Sequence, residues 1–160
     1  MLDANTIIDY SHKDFMDGIR HITHLIRADQ YAPDYIVGIV RGGAIPAVYL
    51  SHHLKVPVVM LHWSSRDHNL VSGNESNTWI PEDINAGKRI LIVDDIVDGG
   101  ETIRQILDDW QSSALAGLNL DNIKIASLFY NTAQDISVDY CHHRINRNED
   151  SRWVVFDWEA

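Results

Sequence analysis

A single cysteine, Cys141, occurs among the 160 residues of this chain. No intrachain disulfide can form, and a reducing compartment is the simpler expectation. Basic side chains are also scarce: 13 Lys and Arg stand against 23 Asp and Glu, for a formal net charge of −10. Phosphate backbones are bound through basic patches, so a nucleic-acid partner is not expected. Long apolar runs are missing as well. No stretch is long enough to cross a bilayer, and Met1-Leu2-Asp3-Ala4-Asn5 lacks the charged and apolar regions of a signal peptide. The expectation is a cytoplasmic protein with no membrane partner. Internal repeats, low-complexity tracts and a Walker-type Gly-Lys-Ser/Thr stretch are absent too, the last excluding the commonest nucleotide site.

What is present fits one folded domain spanning 1–160. Hydrophobic residues make up 45% and charged residues 22%, and the length suffices for a sizeable core. The most informative stretch begins with the apolar, β-branched run Ile90-Leu91-Ile92-Val93, which suits a strand buried on both faces. It breaks into Asp94-Asp95-Ile96-Val97-Asp98-Gly99-Gly100-Glu101-Thr102, after which Ile103, Ile106, Leu107 and Trp110 recur at helical spacing. Glycines between strand and helix let backbone N–H groups converge, and the helix N-terminus adds its positive end, so the junction suits a phosphate. The acidic pair ahead of it would repel phosphate unless a diol or a divalent cation lies between them. A phosphorylated sugar carrying Mg²⁺ meets both requirements.

A second unit of the same kind lies upstream. Tyr35-Ile36-Val37-Gly38-Ile39-Val40 reads as a strand, Arg41-Gly42-Gly43 as a tight turn, and Ala47, Val48, Leu50, Ser51 and Leu54 as a helix. The glycines allow close backbone approach and Arg41 offers a charged fork for a second phosphate-bearing group; an ordinary turn with an exposed arginine is the competing reading. Before this unit, Phe15, Ile19, Ile22, Leu25 and Ile26 share one helical face, capped by Ser11, and this helix is expected to be the first element. Residues 56–61 read as an edge strand on account of Pro57. Residues 62–79 read as a polar lid or surface loop, 81–88 as a turn-rich lead into the strand at 90, and 123–129 as a further strand. A short strand is expected at the C-terminus. Strands alternating with helices imply an α/β fold with a central, mainly parallel twisted sheet flanked by helices. Right-handed crossovers then bring both glycine turns to the carboxyl edge of that sheet.

His21 and His24, and the run Cys141-His142-His143, invite a metal reading. Adjacent histidines do not converge readily with a neighbouring cysteine, and no further ligands complete either set, so zinc is not expected.

Residues 93–102 resemble the phosphoribosyl pyrophosphate (PRPP) signature of type I phosphoribosyltransferases, and Arg41-Gly42-Gly43 resembles the pyrophosphate loop of the purine enzymes of that family. The resemblance runs from about Tyr35 to Glu159. It implies a mobile hood loop, which Ser64, Ser65, Arg66 and Asp67 would begin as a lid over PRPP. It further implies that Asp94 and Asp95 hold the ribose hydroxyls and Mg²⁺, and that Gly99, Gly100, Glu101 and Thr102 hold the 5′-phosphate. Asp98 matches the catalytic base beside the purine. Trp153 matches the residue that stacks on the base, and Val154 the residue whose backbone meets the base edge. Asn131 stands where the purine enzymes place a lysine, Gly99 where the family usually has threonine, and Glu101 where a small residue is common.

The implied activity is transfer of the phosphoribosyl group from PRPP to N9 of guanine, xanthine or hypoxanthine, in a dimer or tetramer. Alternatives that stay open are a PRPP-binding regulator without transferase activity, a transferase for adenine, orotate or uracil, and a pyrophosphokinase, which would need a nucleotide site. Trp158 is expected in the core or at a subunit contact.

Overall fold

The computed structural model describes residues 6–63 and 78–159. The expected alternation is present: β2 (Tyr35–Val40), α2 (Ala44–Leu54), β3 (Val58–His62), α3 (Trp79–Asn85), β4 (Ile90–Val97), α4 (Glu101–Ser113) and β5 (Ile123–Asn131), followed by β6 (Tyr140–Ile145). These strands form one five-stranded sheet in the order β3-β2-β4-β5-β6, every pairing parallel. Helix α1 (His12–Ala28) precedes them. Its start is fixed by a capping box: the Asp14 amide donates to the Ser11 hydroxyl oxygen at 3.2 Å, and the Ser11 amide donates back to the Asp14 carboxylate at 3.2 Å.

Side-chain alternation along the strands divides the core in two. Ile36, Leu91, Val93, Ala126 and Leu128 pack with Phe15, Ile19, Ile22 and Ile26 of α1 and with Ala47 and Leu50 of α2. Val37, Ile39, Ile90, Ile92 and Ile125 face the other way, against Ile80 and Ile84 of α3 and Ile103, Ile106 and Trp110 of α4. Each fully buried aliphatic side chain contributes roughly 1.5–3 kcal/mol, so both faces hold the strand ends rigidly.

Three elements depart from the sequence expectation. The first element is a strand, β1 (Ile7–Tyr10), which pairs in parallel with β7 (Trp153–Phe156) as a separate two-stranded sheet. Its partner is far away in sequence, so no local pattern marks it. Residues 79–85 are helical instead of turn-like; Pro81 sits at the third helical position, where its missing N–H has no intrahelical acceptor to lose. Residues 140–145 form β6, the edge strand opposite β3, and carry the His142-His143-Arg144 run on a partly exposed surface.

Strand order also locates a crevice. The chain leaves β2 toward β3 on one side and leaves β4 toward β5 on the other, so the connections part between β2 and β4. Pairing of β2 with β4 ends at Gly38 and Val93, while β4 with β5 continues to Val97 and Tyr130. A gap therefore opens beyond Val93 at the carboxyl edge, the place where open α/β sheets bind ligands.

Candidate active site

A cleft of about 740 Å³ occupies that gap, lined by Ile39, Val40, Arg41, Gly42, Trp63, Asp94, Asp95, Thr102, Trp158 and Glu159. A second hollow of about 230 Å³ adjoins it, lined by residues 96–101 with Ile103, and shares Asp94 and Thr102 with the first. The two glycine turns thus border neighbouring hollows that have Asp94 and Thr102 in common.

The turn after β2 is held against β4 at a distance only glycine permits. A Cβ on Gly43 would run into the Val93 carbonyl oxygen, and one on Gly42 would run into the Asp95 carboxylate. The Gly43 amide donates to the Ile39 carbonyl at 2.7 Å, closing the turn, and the exposed Arg41 side chain stands at the cleft. The Val40–Arg41 peptide is cis. In the turn after β4, Gly100 takes φ of +75° directly before α4, where any side chain would be strained and would strike Ile136. Arg104, one turn into α4, donates to the Gly99 carbonyl at 2.9 Å and braces the loop.

Asp94 and Asp95 carry the electrostatic stress. The Asp95 amide donates to Asp94 Oδ1 at 3.0 Å, and the Ile96 amide donates to Asp95 Oδ1 at 2.7 Å. Burial, followed by the neighbouring Asp95 charge, pushes the Asp94 carboxyl well above the usual carboxylate range. Burial also raises Asp95, with Glu159 adding to it against the lowering effect of the Ile96 amide. Two adjacent acids disfavouring their own ionisation form a site that a cation relieves. Among the described residues, no group of three or more His, Cys, Asp or Glu side chains is disposed to hold a metal alone. The donor set fits Mg²⁺ shared with a substrate, since that ion commonly takes one or two carboxylates and completes its octahedron with phosphate oxygens and water.

The remaining expected site residues are distributed unevenly. Asp98, Gly99, Gly100, Glu101 and Thr102 line the smaller hollow. Asn131 is 1% exposed; its Nδ2 donates to Asp98 at 3.0 Å and its Oδ1 accepts from the Ala133 and Arg147 amides. Its amide is thus engaged in the fold and in contact with Asp98. Trp153 is 59% exposed and is not among the residues lining either hollow, and the Val154 side chain belongs to the core. Ser64, Ser65, Arg66 and Asp67 lie outside the described residues.

Sequence reasoning missed Glu159 and Arg147, met Trp63 only as part of the lid at 62–79, and gave Trp158 no place in the cleft. Trp158 does pack on the core, stacked on Phe156 at 4.8 Å and edge-on to Phe15 at 5.1 Å, but it also lines the cleft beside Glu159. Only the fold shows this, because residues 157–159 form a short helical turn that returns over the cleft from β7.

Sheet, switch-point cleft, acidic pair and paired glycine turns define an α/β protein of the doubly wound class with a ligand cleft at its carboxyl edge. More specifically, the chain belongs to the phosphoribosyltransferase family: residues 10–160 match the phosphoribosyl transferase domain. The fold superposes on a purine phosphoribosyltransferase from Pyrococcus horikoshii with a TM-score of 0.67 at 25% identity, covering 97% of this chain and 95% of that one. A xanthine-guanine-hypoxanthine phosphoribosyltransferase from Helicobacter pylori shares the fold at 21% identity, with a TM-score of 0.65 and coverage of 95% and 92%. Among curated sequences, the orotate phosphoribosyltransferase of Brucella ovis is 38% identical over 84 residues, or 52% of this chain and 39% of that protein. The chain therefore spans about two-fifths of the length of the curated relatives it matches.

Proposed function

We propose that the protein transfers the 5-phosphoribosyl group of PRPP to a 6-oxopurine, releasing pyrophosphate. The observation that carries this reading is that the Arg41-Gly42-Gly43 turn, the acidic pair Asp94 and Asp95, and the loop from Asp98 to Thr102 meet at two adjoining hollows that share Asp94 and Thr102. In this reading the amides of Gly99 to Thr102 and the Thr102 hydroxyl hold the 5′-phosphate. Arg41 and the turn amides hold the pyrophosphate, and Asp94 and Asp95 hold the ribose diol with Mg²⁺. Bound there, Mg²⁺ supplies charge neutralisation for the leaving pyrophosphate.

Chemically, the base nitrogen forms its bond to C1 as the C1–O bond breaks, and that bond's electron pair departs with pyrophosphate. Positive charge grows on the ribose beside the two aspartates, and negative charge grows opposite Arg41, so fixed charges favour the transition state. Asp98 takes the proton that the base gives up. The purine preference draws on the Arg41 triplet and on the Pyrococcus horikoshii enzyme. A pyrimidine acceptor is the second reading, favoured by the similarity to orotate phosphoribosyltransferases over 84 residues.

Calorimetric titration with PRPP and Mg²⁺ tests the ligand. Saturable binding is expected in the wild type, and tighter binding in Gly99→Thr. A Cβ at Gly99 meets nothing within 4 Å, so threonine fits and adds a hydroxyl donor to the phosphate. One such hydrogen bond corresponds to roughly a tenfold gain. Absence of binding at millimolar PRPP, or weaker binding by Gly99→Thr, contradicts the assignment of this loop.

A further inference from the structure

The Asp98 side chain is 42% exposed, yet among the described residues it is held from one side only. Asn131 Nδ2 donates to its Oδ1 at 3.0 Å, and Arg147 Nε donates to the same Oδ1 at 3.2 Å. Neither contact falls on Oδ2. The supports are themselves fixed. Asn131 ends β5 and accepts the amides of Ala133 at 3.0 Å and Arg147 at 3.2 Å. Arg147 lies in the connection from β6 to β7, with its side chain 17% exposed, and its Nη1 donates to the Arg152 carbonyl immediately before β7. A single guanidinium thus spans from the Asp98 carboxylate to the backbone that leads into Trp153.

We infer that Arg147 and Asn131 form a clamp that grips one oxygen of Asp98 and presents the other to the base, making Arg147 a positioning residue for proton transfer. Two donors converging on one oxygen fix the plane of the carboxylate, which a single donor would leave free to turn. Arginine is required because its planar fork reaches two acceptors in different directions, whereas the lysine ammonium is a single point. The same side chain keeps Asp98 in register with the start of β7. The inference rests on the transferase reading, which supplies the role of Asp98; the contacts themselves are independent of it.

A double-mutant cycle separates positioning from simple bracing. Arg147→Gln is expected to lower kcat by roughly 10–100-fold, the usual cost of losing a residue that orients a functional group, while the KM for PRPP stays within about twofold. Arg147→Lys should recover part of the loss. In the Asp98→Asn background, Arg147→Gln should cost little more, because the group it positions has already lost its function. Equal losses in both backgrounds, or a change confined to the KM for PRPP, overturn the proposal.

A second readout does not depend on turnover. The Arg147 Nε–H signal in nitrogen-15 NMR should stand apart from those of exposed arginines and join them in Asp98→Ala. If it lies among the exposed arginines in the wild type, the clamp is refuted. If wild-type protein releases no pyrophosphate while the signal behaves as expected, the contacts stand and the transferase reading fails.

Discussion

Asp98→Asn is expected to cut turnover by roughly 10²–10⁴-fold while PRPP affinity stays nearly unchanged. The amide keeps the shape and can still accept from Asn131 and Arg147, but it cannot take a proton. Its effect should fall on kcat and kcat/KM together, the signature of an interaction made only in the transition state. Steady-state pyrophosphate release over a range of PRPP concentrations checks this. Wild-type turnover in Asp98→Asn contradicts the role of Asp98 as base.

The second large effect concerns Asp94. Its carboxyl is pushed well above the usual range, first by burial and then by Asp95, so the folded chain binds that proton more tightly than the unfolded chain does. The resulting stability is present below the unfolded pKa and is lost as pH rises through the raised folded value. At neutral pH the unliganded protein therefore carries the cost of holding two carboxylates together. Asp94→Asn should relieve it, stabilising the protein by about 1–2 kcal/mol at pH 7–8, at roughly 2–4 °C of melting temperature per kcal/mol. The gain should shrink toward pH 4, and the same variant should lose Mg²⁺-dependent PRPP binding. Thermal melts of both proteins across pH check it; a lower melting temperature for Asp94→Asn at neutral pH contradicts the account.

Much of this arrangement is legible in the chain because it is local. Residues 90–102 pass from an apolar run through acids and glycines into a helical pattern, and the structure turns each change into β4, loop and α4. The same holds for residues 35–54, and the cap of α1 is visible as Ser11, to which the structure adds Asp14. What escaped sequence reasoning is non-local. Strand β1 exists only through its pairing with β7, and Arg147 matters only because a connection remote in sequence returns to Asp98. Asn131 shows the limit most clearly. The resemblance places Asn131, the last residue of β5, where a residue faces the base, but its side chain is buried and bonded to Asp98, Ala133 and Arg147. Trp158, expected in the core or at a subunit contact, does stack on Phe156, and the fold also places it on the cleft.

Identity of the acceptor turns on side chains of this cleft and not on the sheet, since one fold hosts enzymes for different bases. The similarity to a purine phosphoribosyltransferase over nearly the whole chain and to orotate phosphoribosyltransferases over 84 residues points to two acceptor classes, which a single assay separates. That assay is pyrophosphate release from PRPP in the presence of Mg²⁺, with guanine, xanthine, hypoxanthine, adenine, orotate and uracil supplied one at a time. The account predicts Mg²⁺-dependent release with one or more of the three 6-oxopurines and formation of the matching nucleoside monophosphate. Release with none of the three 6-oxopurines contradicts it.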